Sequence, residues 1–364
     1  MILGTLIVVG AALLAFANGA NDVSKGIATL TGTGRASHRA AIAWGTAWTL
    51  AGGLASLVIS IGLVKAFTSA IVGPEILAAP TFALAVALGA AAWVLLASAT
   101  GLPVSTTHAL TGAIVGVALA AGGSGAVRWW MLLSAIAAPL AVSPVVSALI
   151  AYAMHAVAAR LAPACICVRD EISLGTTDRA GAVTAVLTPT IVASASGCSS
   201  AEHRWRFMPA GTLHWSAAAA LSFARGVNDN AKIAAIAALG LAGIAGALWP
   251  AFLVTAIAMA LGSYMGGLRV TRTLGERVVH MDQDTGLAAA LVSAGLVLAA
   301  SFYTFPVSTT HVSTGAIVGA GVRQGHAAVR WETVGSLAGA WVATLPIAAA
   351  LGGVASWLLP MLVR

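Results

Sequence analysis

The sequence predicts an all-α polytopic membrane protein of about 10–12 transmembrane segments, arranged as two inverted repeats with broken helices or re-entrant hairpins. Three observations carry that prediction: an extreme composition, two motifs that each occur twice, and short segments opened by Gly or Pro between long apolar runs. Of 364 residues, 59% are hydrophobic and only 8% are charged, and the mean hydropathy is +0.96. A soluble domain is about 45–50% apolar and about 25% charged. This chain lacks the polar surface that a core needs in water. A soluble enzyme, a disordered chain and a nucleic-acid binder are therefore excluded. Its 40 glycines suit helices that pack closely or break inside a bilayer.

Taken in order, candidate spans lie at about 2–18, 40–64, 80–100, 129–157, 212–223, 242–266, 286–304 and 332–359. The runs 129–157 and 332–359 are each long enough for one long helix or two short ones. Met1 to Ala17 is apolar with no basic residues before it, and reads as a first transmembrane helix rather than a cleaved signal. Segments 19–33, 103–122, 224–240 and 306–322 open on a polar or proline motif and continue as short Ala/Gly/Ile/Val stretches, the pattern of half-helices. The region 158–210 holds five basic residues (Arg160, Arg169, Arg179, Arg204, Arg206) and four acidic ones (Asp170, Glu171, Asp178, Glu202). It reads as a linking loop, placed on the cytoplasmic side. Cys165, Cys167 and Cys198 fall there. With no second pair to complete a zinc set they read as adventitious thiols, and no metal site is expected. Arg269 to Asp284 reads as a solvated loop, and Trp129, Trp130, Trp205 and Trp331 as interfacial belt residues. The net charge of +7 fits cytoplasmic loops facing anionic lipid.

Duplication decides the organisation. Pro103-Val-Ser-Thr-Thr-His108 recurs as Pro306-Val-Ser-Thr-Thr-His311, an offset of 203 (306 − 103). Extended to Gly116 and Gly319, 14 positions align and only Ala109/Val312 and Leu110/Ser313 differ. Gly19-Ala-Asn-Asp-Val-Ser-Lys25 recurs as Gly226-Val-Asn-Asp-Asn-Ala-Lys232, an offset of 207 (228 − 21). The chain divides into a first transmembrane repeat at 1–157, a linker at 158–210 and a second repeat at 211–364. Matched, interrupted segments in two halves point to the binding site of a secondary transporter.

The chemistry of the motifs agrees. On a helix Asp22 and Lys25 share a face at i, i+3, as do Asp229 and Lys232. A lone charge at the bilayer centre costs about 2.5–3.5 kcal/mol, so four such charges must pair or line a cavity. Lys25 and Lys232 are two of only three lysines; the third is Lys65. Proline suits the first turn of a helix, which sets Ser105, Thr106 and Thr107, and Ser308, Thr309 and Thr310, at helix N-termini. Free N–H groups, a positive dipole and three hydroxyls there bind a phosphate-like anion. Simple capping of a buried half-helix is the bland alternative for one copy. His108 and His311 cap or hydrogen-bond within their own hairpins, with a role in proton coupling also open to them. Arg225, where the first repeat has Asn18, either faces the substrate or snorkels to an interface. Ser105 and His108 lie on one short element without a separate orienting partner, which argues against a hydrolase; no enzyme activity is expected.

In duplicate and in this order, these motifs resemble the inorganic phosphate transporter (PiT) family over nearly the whole chain. The resemblance implies a fold of inverted repeats in the inner (plasma) membrane, importing phosphate by alternating access. It places ligand contacts at Asn21, Asp22, Ser105, Thr106 and Thr107 and at Asn228, Asp229, Ser308, Thr309 and Thr310. Lys25, Lys232, His108, His311 and Arg225 are the coupling and charge-balancing residues. One position departs: the family's first motif typically ends on asparagine where this chain has Lys25. An ammonium cannot coordinate Na⁺ and fills the space itself, so the coupling ion is expected to be H⁺ rather than Na⁺. No other cofactor is expected, and a homodimer is left open. Phosphate is favoured over sulfate because hydrogen phosphate has an O–H to donate to a carboxylate. A sulfate permease of the same fold is the alternative, and an anion channel the second.

Overall fold

The computed structural model describes residues 2–67, 71–161, 166–177, 183–192, 205–207, 209–241 and 248–362. The first part of the chain forms α1 (Ile2–Gly32), α2 (His38–Ile59), the short α3 (Gly62–Ala66) and α4 (Pro74–Leu77), α5 (Phe82–Thr100), α6 (Thr106–Gly122), the short α7 (Trp129–Met131) and α8 (Ala138–Leu161). Three strands follow: β1 (Ile166–Thr177), β2 (Val183–Val192) and β3 (Trp205–Phe207). The second part forms α9 (Pro209–Gly240), α10 (Leu248–Gly266), α11 (Leu268–Glu276), α12 (Gln283–Phe302), α13 (Thr309–Gln324) and α14 (Trp331–Leu362).

Among the described residues, seven helices are long and apolar enough to cross a membrane: α1, α2, α5, the continuous run Trp129–Arg160, α10, α12 and α14. Their outward faces are apolar, with Leu13, Val58, Leu96, Leu149, Tyr264 and Val342 exposed. The charges in the middle of α1 and α9 are inside: Asp22, Lys25, Arg225, Asp229 and Lys232 are each no more than 3% exposed. Apolar outside and charged inside is the distribution a hydrocarbon solvent imposes. The chain is a multi-pass integral membrane protein.

The repeat extends beyond the motifs into packing. α6 lies against α14, and α13 against α8; α1 lies against α10, and α9 against α2. Each short helix is thus covered by the last long helix of the other half. Small residues allow it. A Cβ at Gly112 or Gly116 would strike the carbonyl oxygens of Leu345 and Ala349 on α14, and one at Gly315 or Gly319 those of Pro144 and Ala148 on α8. These are small-xxx-small contacts of the kind that bring membrane helices together. Val72 bridges Val127 and Val279 bridges Val329, at matching places in the two halves. Gly101, which ends α5, has φ +77, and Thr304, 203 positions later, has φ +58; both copies turn through the left-handed region before the Pro-Val-Ser-Thr-Thr motif.

Several expectations are corrected. Segments 19–33 and 224–240 are not half-helices: they are the C-terminal parts of the continuous helices α1 and α9. Neither contains a proline, and Asn21, Lys25, Asn228, Asn230 and Lys232 each have a side-chain hydrogen-bond partner, so no backbone need unwind. The two motifs that contain proline do break the chain, opening α6 and α13. Residues Trp129–Arg160 and Trp331–Leu362 are each one long run, the former through a π-helical stretch at Leu132–Ala137. The linker is not a plain loop but carries an antiparallel sheet of order β2-β1-β3, rich in Val, Ile and Thr. Cys167 is disulfide-bonded rather than a free thiol; Cys165 and Cys198 lie outside the described residues. Arg269–Asp284 is not a solvated loop either, since α11 occupies most of its first half and Asp282 caps α12 through Thr285 N at 2.8 Å.

Candidate anion site

The N-termini of α6 and α13 meet at the centre of the molecule, against the middle of α1 and α9. Ser105 and Ser308 are the N-caps, accepting from His108 N at 3.2 Å and His311 N at 3.3 Å. Capping and ligand binding are not exclusive here, because each hydroxyl keeps its own proton to donate. The two ends are stitched together by their hydroxyls: Thr107 Oγ1 donates to Val307 O at 3.4 Å, and Thr310 Oγ1 to Val104 O at 2.9 Å.

Both acid–base pairs close onto this junction. Lys25 Nζ donates to Asp22 Oδ1, to Asn21 Oδ1 at 2.8 Å and to Val104 O at 3.2 Å. Lys232 Nζ donates to Thr107 Oγ1 at 2.8 Å, to Val307 O at 3.1 Å and to Asp229 Oδ1 at 3.4 Å. Val104 and Val307 are equivalent residues of the two repeats, so each ammonium stands on an oxygen set of the same kind. Thr106 Oγ1 donates to Asp22 Oδ2 at 3.3 Å. Asn21 is a clamp: its Nδ2 holds Leu102 O at 2.9 Å and Ser98 Oγ at 3.1 Å, while its Oδ1 takes Val104 N at 3.1 Å. Asn228 holds Ser301 Oγ at 3.2 Å. Thr309 begins α13 and is 2% exposed.

Arg225 does not snorkel. It is fully buried, and its guanidinium donates to Thr49 Oγ1 at 2.6 Å, Ser263 Oγ at 3.2 Å and Asn18 Oδ1 at 3.5 Å. These three partners are all neutral. Two carboxylates against three cations leave one formal positive charge in a buried centre, which suits an anion. The histidines are also placed differently from expectation. Neither ring bonds within its own hairpin; they touch across the repeats with centroids 4.7 Å apart, and His311 Nδ1 donates to Leu140 O on α8 at 2.8 Å.

Asn18 was missed by sequence reasoning, yet it ties the halves together. Its Nδ2 lies 3.0 Å from both Asp22 Oδ2 and Thr106 Oγ1 and 3.4 Å from Asp229 Oδ2. Ser98 and Ser301 were also missed. The signal was present: Ser98 and Ser301 are 203 positions apart, the offset of the Pro-Val-Ser-Thr-Thr motif, and Asn18 and Arg225 are 207 apart, that of the Asn-Asp motif. All ten predicted contact residues are no more than 4% exposed, so the junction is buried within the protein.

A family model described as the phosphate transporter family matches residues 18–352. The chain belongs to the phosphate transporter family. The family is one of transporters. This phosphate transporter family member is 29% identical to a Bacillus subtilis protein named a probable low-affinity inorganic phosphate transporter, over 100% of the chain and 98% of the relative. It is 28% identical to a Mycobacterium leprae protein of the same name, over 98% of the chain and 78% of the relative. A solved structure, described as that of the sodium-dependent phosphate transporter, has the same fold, with a TM-score of 0.78 and 22% identity, covering 99% of this chain and 100% of the other.

Proposed function

We propose that the protein imports inorganic phosphate across the plasma membrane as a proton-coupled secondary transporter working by alternating access. In this reading residues 1–157 and 211–364 are inverted repeats about the 158–210 linker. The anion lies between the N-termini of α6 and α13, and one hairpin rocks against the other around it. The observation that carries the reading is the meeting of those two N-termini at a buried junction that also holds both Asp–Lys pairs and Arg225. Each helix end directs free N–H groups and hydroxyls at the same small volume. Lys25 and Lys232 supply charge, and a carboxylate at Asp22 or Asp229 accepts the O–H of hydrogen phosphate, which sulfate lacks.

Lys25 supports protons over sodium. Its ammonium takes Asn21 Oδ1, Asp22 Oδ1 and Val104 O for itself, so the space and oxygens that a monovalent cation would need are filled by a tethered charge. The sodium dependence of the structural neighbour belongs to that protein. Labelled-phosphate uptake by reconstituted vesicles tests the site. Asp22→Asn and Asp229→Asn are each expected to lower the rate at least tenfold while the protein still inserts; wild-type rates in both would refute the assignment.

A further inference from the structure

His108 and His311 are two of the buried histidines, with His214, that the phosphate junction leaves without a role. They are 7% and 5% exposed, and their rings are 4.7 Å apart between centroids at a tilt of 44°. Each is fixed in place. His108 and His311 lie in the first turns of α6 and α13, with their backbone N–H groups held by the Ser105 and Ser308 caps. The tautomer of His311 follows from its partner: Leu140 O only accepts, so Nδ1 carries the hydrogen and Nε2 keeps its lone pair. Nε2 of His311 and Nδ1 of His108 then have no hydrogen-bond partner among the described residues. A buried polar nitrogen without a partner is uncommon and calls for a function. Here two occur on rings in contact, one from each repeat.

We infer that this histidine pair is the proton-binding site of the transporter, one imidazole taking the proton and its neighbour accepting the resulting N–H across the repeat boundary. The inference rests on the proton-coupled phosphate reading above. One proton joins the tips of α6 and α13 through an N–H···N bond; a second would set two imidazoliums against each other and part them. The charged groups that face the pair are Lys232 from α9, toward His108, and Lys25 from α1, toward His311. The pair also lines a cavity of about 510 Å³, whose other lining residues from α8 and α14 include Leu140, Trp341 and Val342 and carry no charge. The two lysines repel a proton arriving at the histidines. A hydrogen phosphate dianion bound between Lys25 and Lys232 cancels that repulsion. Phosphate and proton therefore favour each other's binding, and by linkage each raises the other's affinity by the same factor.

The test separates phosphate handling from proton handling. Phosphate–phosphate exchange across vesicles needs no net proton movement, whereas accumulation against a phosphate gradient driven by a pH gradient does. His108→Gln and His311→Gln are each expected to exchange phosphate within about twofold of wild type and to lose accumulation at least tenfold. In the wild type, phosphate addition is expected to shift the titration of two ¹⁵N-labelled histidine signals toward protonation, and either substitution is expected to remove that response. Wild-type accumulation in both variants overturns the proposal. So does equal loss of exchange and accumulation in both, which marks the pair as structural. Absence of phosphate exchange in the wild type would instead count against the phosphate reading.

Discussion

At the scale of the residue, the Asp–Lys pairs are held by networks rather than by each other alone. Lys25 is 1% exposed and its ammonium has oxygen partners on α1 and on the turn before α6. Removing one partner of a buried pair leaves an uncompensated charge, at a cost of about 3–5 kcal/mol. Lys25→Ala should therefore lower the thermal stability of the purified protein markedly, and adding Asp22→Asn should recover much of the loss. An unchanged melting temperature in Lys25→Ala would contradict the buried-pair account. Asp22, Lys25, Asp229 and Lys232 were legible because charge is scarce in this chain and they recur at one spacing. Asn18 was harder to read, since its repeat partner at the 207-residue offset is the chemically different Arg225; its long-range bonds to Thr106 and Asp229 give its role. The contact between His108 and His311 was hidden as well. Each lies beside its own Ser-Thr-Thr, and nothing local says that the two tips meet.

At the scale of the element, proline decided what broke. Pro103 and Pro306 precede new helices, whereas the polar Asn-Asp motifs pass through α1 and α9 without interruption. Polarity alone does not break a helix, for a side chain can satisfy itself while the main-chain ladder continues. Long apolar runs also carry no phase, so span ends could not be set by periodicity. The glycines of α6 and α13 have a direct consequence. A Cβ at Gly319 would overlap the backbone of Ala148 on α8, whereas one at Gly335 on α14 meets nothing within 4 Å. Gly319→Ala should destabilise the protein by about 1–3 kcal/mol through overpacking, read as a lower melting temperature and reduced uptake. Gly335→Ala should leave both unchanged or slightly improved. Equal behaviour of the two variants would show that the α8–α13 contact does not matter.

At the scale of the whole molecule, the duplication visible in the sequence becomes an exchange of partners: α6 is covered by α14 and α13 by α8. A movement of one half is then a movement of the other half's cover, a coupling suited to the alternating access proposed above. The predominantly helical class and the membrane setting followed from composition. The linker sheet and the α11 helix did not, because mixed-charge segments of moderate length carry neither a period nor a breaker that distinguishes them from loop. If the tethered ammonium at Lys25 stands in the place of sodium, protons drive uptake. Labelled-phosphate uptake into sodium-free vesicles, acid outside, tests it most directly. Concentrative phosphate uptake that collapses when the pH gradient is dissipated is the expected result, with sulfate competing weakly; uptake that appears only on adding sodium would contradict the account.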